Sequence, residues 1–335
     1  MFRLVERRAY YFLFSGLILT IGIGTLIYST VQTGQPLQLG IDFTGGTIFE
    51  LQFIEAIGEQ EIRDVFTEAG YEELVVQELN PLETESLGEG VEAYPEGSRW
   101  SVRTEEASVD EITLMLEELQ AELAPLDEEA TSTNEVSGTV GQEVTQAAIL
   151  ATIFGGGVVL AFVWFAFRKV PNAYRYGACA IVAMVHDLLI MITAMSIFGL
   201  VLGWQADALF LTAMLTVLGF SVQDTIVVFD RIRENIPRRR GESYELIVNR
   251  SVLETVHRSL ATQLNAMFIM VALVLFGGET TRQFIIIMLI GLTSGTYSSI
   301  FIAVPLLVSW EKGQIPFLNR EAKERPRSTV VDQTA

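Results

Sequence analysis

The sequence predicts a polytopic α-helical membrane protein with six transmembrane helices and a small ferredoxin-like α+β domain between the first and second of them. Three observations predict it. Half of the 335 residues are hydrophobic and only 19% are charged, too apolar a balance for an ordinary soluble domain. Six apolar runs reach the roughly 20 residues of helix that a bilayer requires. The charge is also segregated. Residues 31–143 hold 27 Asp and Glu against 3 Arg, a net of −24, while the whole chain carries −19, so the remainder carries +5.

The first run, residues 10–28, has an apolar core longer than that of a signal peptide, and no small-x-small cleavage site follows. It is expected to be an uncleaved anchor helix, with residues 1–30 forming the N-terminus and first span. The acidic segment 31–143 then alternates two periodicities. "GTIFELQF" (46–53) is rich in β-formers. "EQEIRDVFTEAG" (59–70) has helical spacing through Ile62, Val65 and Phe66, and Gly70 stops it. "ELVVQEL" (73–79) is a strand, 81–97 a Gly/Glu/Pro-containing loop, and "RWSVRT" (99–104) a strand. "SVDEITLMLEELQAEL" (108–123) has a Ser N-cap and an acidic first turn. A last extended piece, 131–138, enters the second span. The order β-α-β-β-α-β is the ferredoxin-like pattern. The remaining spans are expected at 144–167, 174–200, 206–229, 259–276 and 284–310, with a basic loop at 231–258 and a tail at 311–335. "GESYELIVNRSVLETVHRSL" within that loop is amphipathic, with Ser243 as N-cap, and is expected to lie along the membrane surface.

Orientation follows from Lys and Arg in the short connections. Arg3, Arg7 and Arg8, then Arg168, Lys169 and Arg175, then the arginines from 231 to 258, then the tail all fall on one side of a six-span chain. That side is the cytoplasm, and residues 31–143 are extracytoplasmic. No basic face offers a nucleic-acid site, and the acidic domain would repel phosphate. Cys179 is the sole cysteine, and two histidines are too few for a metal cluster. No nucleotide loop is present. No cofactor or metal and no enzymatic activity are expected.

Chemistry is expected from the acids inside the spans. Asp207 and Asp230 sit near span ends; Asp187 and Asp224 lie deeper. A carboxylate in that setting usually has a partner or a function. Asp224 lies roughly 9 Å inward from Asp230, a depth similar to Arg258 at the mouth of the fifth span. An Asp224–Arg258 pair would relieve the burial cost, and is either proton-linked or a static ion pair. Asp187 is placed roughly 20 Å from the start of its span, so the two acids differ in depth by about 10 Å. His186 and Asp187 point about 100° apart on the helix and are not expected to face the same groove. Each is a weaker relay candidate or a packing contact. "DRIREN" (230–235) reads as a charged interfacial anchor, and the small residues of "GLTSGTYSSIFIA" as a close-packing face.

Together, "LGIDFTGGT" (39–47), "VHDLLI" (185–190), "GFSVQDTIVVFDRIREN" (219–235), "HRSLATQLN" (257–265) and "LFGGETTRQF…GLTSGTYSSIFIAVPLL" (275–307) resemble the SecD/SecF family of the bacterial Sec protein-export machinery. The resemblance covers almost all of residues 1–310, and its motifs are specific. Gln223 stands where the family commonly has Asn, leaving Asp224 in register; the acidic domain and the tail match loosely. The resemblance implies one half of a resistance–nodulation–division type transporter, paired with SecD in the bacterial inner membrane (or a thylakoid membrane, where the source has one). It implies use of the proton-motive force to draw exported polypeptide chains through the SecY/SecE/SecG channel. It carries proton passage onto Asp224 and Arg258, and motif positions onto Asp42, Gly45, Gly46, Asp230, Arg231, Arg233 and Glu234. Two rivals from other classes fit less well. A proton-coupled exporter of small molecules or lipids normally needs twelve spans or a large outer porter domain. An intramembrane aspartyl protease needs two carboxylates in contact.

Overall fold

Apolar side chains recurring at period two and at period 3.6 sort the chain into a sheet domain and a helical bundle. The computed structural model describes residues 4–71, 74–79, 97–128, 130–168, 172–239 and 241–314. The expectations for the acidic loop at 81–96, for Lys169 and for the tail from 315 onward lie outside them.

The sheet domain contains β1 (Gly46–Gln52), α3 (Glu59–Glu68), β2 (Val75–Leu79), β3 (Arg99–Thr104), α4 (Val109–Glu122) and β4 (Ser132–Val136). The strands lie in the order β2-β3-β1-β4, all antiparallel, which is the ferredoxin-like arrangement. Alternation fixes the register, because a slip of one residue would turn the core face to water. Phe49 and Leu51 of β1 and Trp100 and Val102 of β3 point inward onto Ile62, Phe66, Met115 and Leu119 of the two helices. Ser108 caps α4 as expected, its own N–H donating to Glu111 Oε2 at 2.7 Å.

Among the described residues, six helices are long and apolar enough to cross a membrane. They are α1 (Arg8–Thr33), α5 (Gly138–Phe167), α6 (Ala173–Leu202), α7 (Ala208–Arg238), α8 (Tyr244–Phe276) and a sixth that begins as α9 (Glu279–Ser298). The sixth passes through a π-helical turn at Ser299–Ala303 into α10 (Val304–Glu311). Pro305 opens α10, and a proline cannot donate to the turn before it. The π turn absorbs that break without ending the span. Gly291 and Gly295 let α9 lie close to its neighbours. A Cβ on Gly291 would stand 2.6 Å from Met191 Sδ, and one on Gly295 3.2 Å from Ser221 Cβ.

The fifth span differs from expectation. Ser243 does cap, accepting from Leu246 N–H, but the amphipathic segment is not a separate surface helix. It runs without a break into the fifth span as one helix of 33 residues. No Gly or Pro interrupts residues 244–276. Its buried stripe (Ile247, Val248, Ser251, Val252, Thr255) packs on the bundle, so the apolar face is covered by protein.

Candidate functional site

Helix α7 carries Asp224 on its buried face, between Ser221, Thr225 and Val228. The carboxylate is only 6% exposed. Its hydrogen-bond partner is not Arg258. Gln263 of α8 donates from Nε2 to Asp224 Oδ2 at 2.8 Å. The expected ion pair is absent for a reason of helix phase. Thr255, Ser259 and Gln263 recur every four residues and share the stripe facing α7, whereas Arg258 is turned about 100° from Ser259 and is exposed. Gln263 Oε1 is buried in this contact without a hydrogen-bond partner, and Ser259 Oγ is buried beside the same carboxylate. Asp224 therefore sits in a low-dielectric pocket whose polar groups are neutral amides and hydroxyls.

Asp187 on α6 lies one step away. It is 1% exposed and accepts from Ser221 (2.6 Å), Ser294 (2.7 Å) and Ser298 (2.6 Å). The hydroxyls come from α7 and α9. The Ser221 contact places Asp187 level with a residue three positions before Asp224, about 4.5 Å along the axis. The expected 10 Å difference in depth is thus corrected; it rested on where the spans were taken to begin. The two carboxylates nevertheless keep separate partners. His186 is also corrected: it is buried with Asp187, and Nδ1 lies 3.1 Å from Asp187 Oδ1. Backbone phase separates the two Cα–Cβ bonds, but the long imidazole arm swings back along the helix.

At the far end of the bundle, 230–235 forms a clasp between two helices rather than a free anchor. Arg231 donates to Glu254 of α8 at 2.6 Å and to Glu234 at 2.9 Å. Asn235 donates to Ser251 and Glu254, both at 2.9 Å. Asp230 pairs with Arg233 on its own helix.

At the other end, the segment before β1 straps the sheet domain to the bundle. Gly40 N–H donates to Ala206 O, and Ala206 N–H to Gln38 O, each at 2.7 Å. The short helix α2 (Ile41–Thr44) follows. Asp42 Oδ2 accepts from Ala208 N–H at 2.9 Å, and Asp207 Oδ1 from Phe210 N–H at 2.8 Å. Two carboxylates thus hold the N-terminus of α7, where the helix dipole favours them. Gly45 and Gly46 turn the chain into β1 with φ of 76° and 119°, values costly for any residue with a Cβ. Arg103 of β3 donates from Nη1 to Leu39 O at 2.7 Å. Burial pushes its guanidinium down to about 10, against the opposing pull of Asp42.

Sequence reasoning located Asp224 and Asp187 but missed Gln263, Ser221, Ser294 and Ser298. Each is a polar residue inside an apolar run, which was the available signal. Among the described residues no group of three or more His, Cys, Asp or Glu is placed to hold a metal ion. The arrangement offers carboxylates, each hydrogen-bonded to neutral polar groups on neighbouring helices, where protonation and hydrogen-bond exchange are chemically available.

Residues 115–313 match the family model described as protein export membrane protein SecD/SecF, C-terminal, and residues 31–53 match the SecD/SecF GG motif. A protein translocase subunit SecF from Thermobaculum terrenum is 44% identical over 82% of this chain and 85% of its own length. The SecF subunit of a Synechocystis strain is 31% identical over 95% of both chains. The crystal structure of SecDF, a translocon-associated membrane protein from Thermus thermophilus, is 26% identical with a TM-score of 0.75 and covers 93% of this chain. A SecDF structure in the super-membrane-facing form has 27% identity and a TM-score of 0.63 over 97% of it. This chain spans 39% and 40% of those two chains. With a family model over more than half of its residues and close relatives along nearly all of it, the chain belongs to the SecD/SecF family of protein export membrane proteins.

Proposed function

We propose that this chain is the SecF-like half of a protein-export translocase, working with a SecD-like partner. The pair uses the proton-motive force to finish moving exported polypeptides through a SecY/SecE/SecG channel in the bacterial inner membrane. Support for a second half comes from the solved SecDF chains, of which this chain spans under half. The basic connections face the cytoplasm with both termini, and residues 31–143 face the other side, where an emerging chain is met.

The observation that carries the mechanism is Asp224: a buried carboxylate on the helix that the strap grips, satisfied by a neutral amide. Protonated, it rests against Gln263. Ionised, it draws a cation. Arg258 lies five residues before Gln263, about 7.5 Å along the helix, within reach of a rotation of α8 against α7. The two arrangements differ in charge and in packing, so a proton entering or leaving biases α7. His186 and Asp187, one step toward the sheet domain, extend the path through Ser221. The reading is tested with Asp224→Asn. The amide keeps the Gln263 contact and cannot ionise. Protein level should stay near normal while gradient-dependent export is lost. Gradient-dependent export at the unmodified rate in Asp224→Asn, or its return in the double variant with Arg258→Met, overturns the proton role and leaves a packing contact.

A further inference from the structure

A cavity of about 710 Å³ lies where the sheet domain meets the bundle, lined among others by Gln35, Gln38, Thr44, Arg103, Glu105 and Gln205. Arg103 spends one nitrogen on Leu39 O. Its Nε and Nη2 are buried and have no hydrogen-bond partner. Idle guanidinium donors away from water are costly, so an arrangement that fills them is close in energy. A free anion is a poor candidate. Glu105 and Glu106 line the same cavity, and the surrounding segment carries a net charge of −24, which repels anions from solution. The acceptor is therefore sought within the chain. Asp42 is near enough for its charge to act on Arg103, and its carboxylate is held by Ala208 N–H.

We infer that Asp42 is a two-position latch: its carboxylate caps α7 in the arrangement seen here and transfers to Nε and Nη2 of Arg103 when α7 withdraws, so that movement of the Asp224 helix is passed to the sheet domain. Both positions offer charge-assisted hydrogen bonds, so neither dominates by much. On transfer the Ala208 N–H is released, but α7 keeps one capping contact, because Asp207 still accepts from Phe210 N–H. Gly40 and Gly45 flank the four-residue helix that carries Asp42, and supply the backbone freedom for it to turn. The latch rests on the proposed proton cycle for what moves α7, but not for its own existence.

The test places spin labels on cysteines at Val109 in the sheet domain and Val201 at the end of α6, both exposed, in the full chain with its partner subunit in lipid nanodiscs. Two distance populations are expected. Asp42→Asn keeps an acceptor for Ala208 but loses the charge, and should shift the population ratio about tenfold toward the capped arrangement. Arg103→Gln should do the same, and the double variant should shift it no further. Arg103→Lys, which keeps the charge, should retain both populations. Ratios unchanged in Asp42→Asn and Arg103→Gln, or shifts that add in the double variant, overturn the latch. If Asp224→Asn alters neither export nor populations while Asp42→Asn still shifts the ratio, the latch stands and the proton role falls.

Discussion

At Asp187, three serine hydroxyls and an imidazole converge on one carboxylate, and the consequence of removing it depends on what is left behind. Asp187→Leu strands three buried hydroxyls, each worth about 1 kcal/mol in a membrane interior, so the bundle should lose roughly 2–3 kcal/mol. Asp187→Asn keeps an acceptor oxygen and should lose less than half of that. Thermal unfolding of the purified complex in detergent checks the order; equal losses would mean that the serines do not depend on the carboxylate. Asp224 behaves differently, because it is held by neutral groups of α8, chiefly the Gln263 amide, and its substitution should be read in export rather than in stability. That it was a functional candidate was legible from the sequence, since a carboxylate in an apolar run needs explaining. That its partner is Gln263 was not legible, because Ser259 and Arg258 are adjacent and only the packed phase of α8 decides which faces inward.

Helices and strands here depend on a few positions where only glycine fits. Gly45 and Gly46 have positive φ, and a Cβ on them would lie 2.6 Å from Gly138 Cα and 2.5 Å from Thr104 O. Both obstacles are backbone and cannot swing aside. Gly45→Ala or Gly46→Ala should therefore cost at least about 2 kcal/mol, combining left-handed strain with overpacking. Gly291→Val should cost about 1–3 kcal/mol by pushing α9 off Met191 and Val217. Gly16→Ala is the control. Nothing lies within 4 Å of that position, and alanine is the better helix former. Stability measured on the four variants should separate Gly16 from the rest, and a destabilised Gly16→Ala would contradict the packing described. The motif glycines were visible in the sequence as a turn; that the turn crosses the start of α5 was not, because the crossing joins residues nearly a hundred positions apart.

On the scale of the whole molecule, the outward faces of α1, α5 and α8 expose Leu13, Phe154, Phe268 and Phe276, surfaces for lipid or for a second subunit. The charge asymmetry predicts which end lies where. Cysteines at Leu114 in the sheet domain and Arg238 at the far end of α7, both exposed, should react with an impermeant reagent from opposite sides of the membrane. The native Cys179 is buried and should stay silent. Labelling of both from the same side would sink the orientation drawn from Lys and Arg.

The six spans, the strand and helix order of the sheet domain and the place of Asp224 inside a span followed from the sequence by itself, because each rests on local properties: the length of an apolar run, the period of its polar breaks, the position of one charge within it. The partners followed only from the tertiary structure. Gln263 in place of Arg258, the three serines on Asp187 and the grip of Asp42 on α7 join residues 34 or more positions apart and depend on how one helix is rotated against the next. Hydrophobic periodicity tells which stripe of a helix turns inward, but not which neighbour it meets or at what height. Close packing of side chains settles that, and it exists only once the helices have assembled.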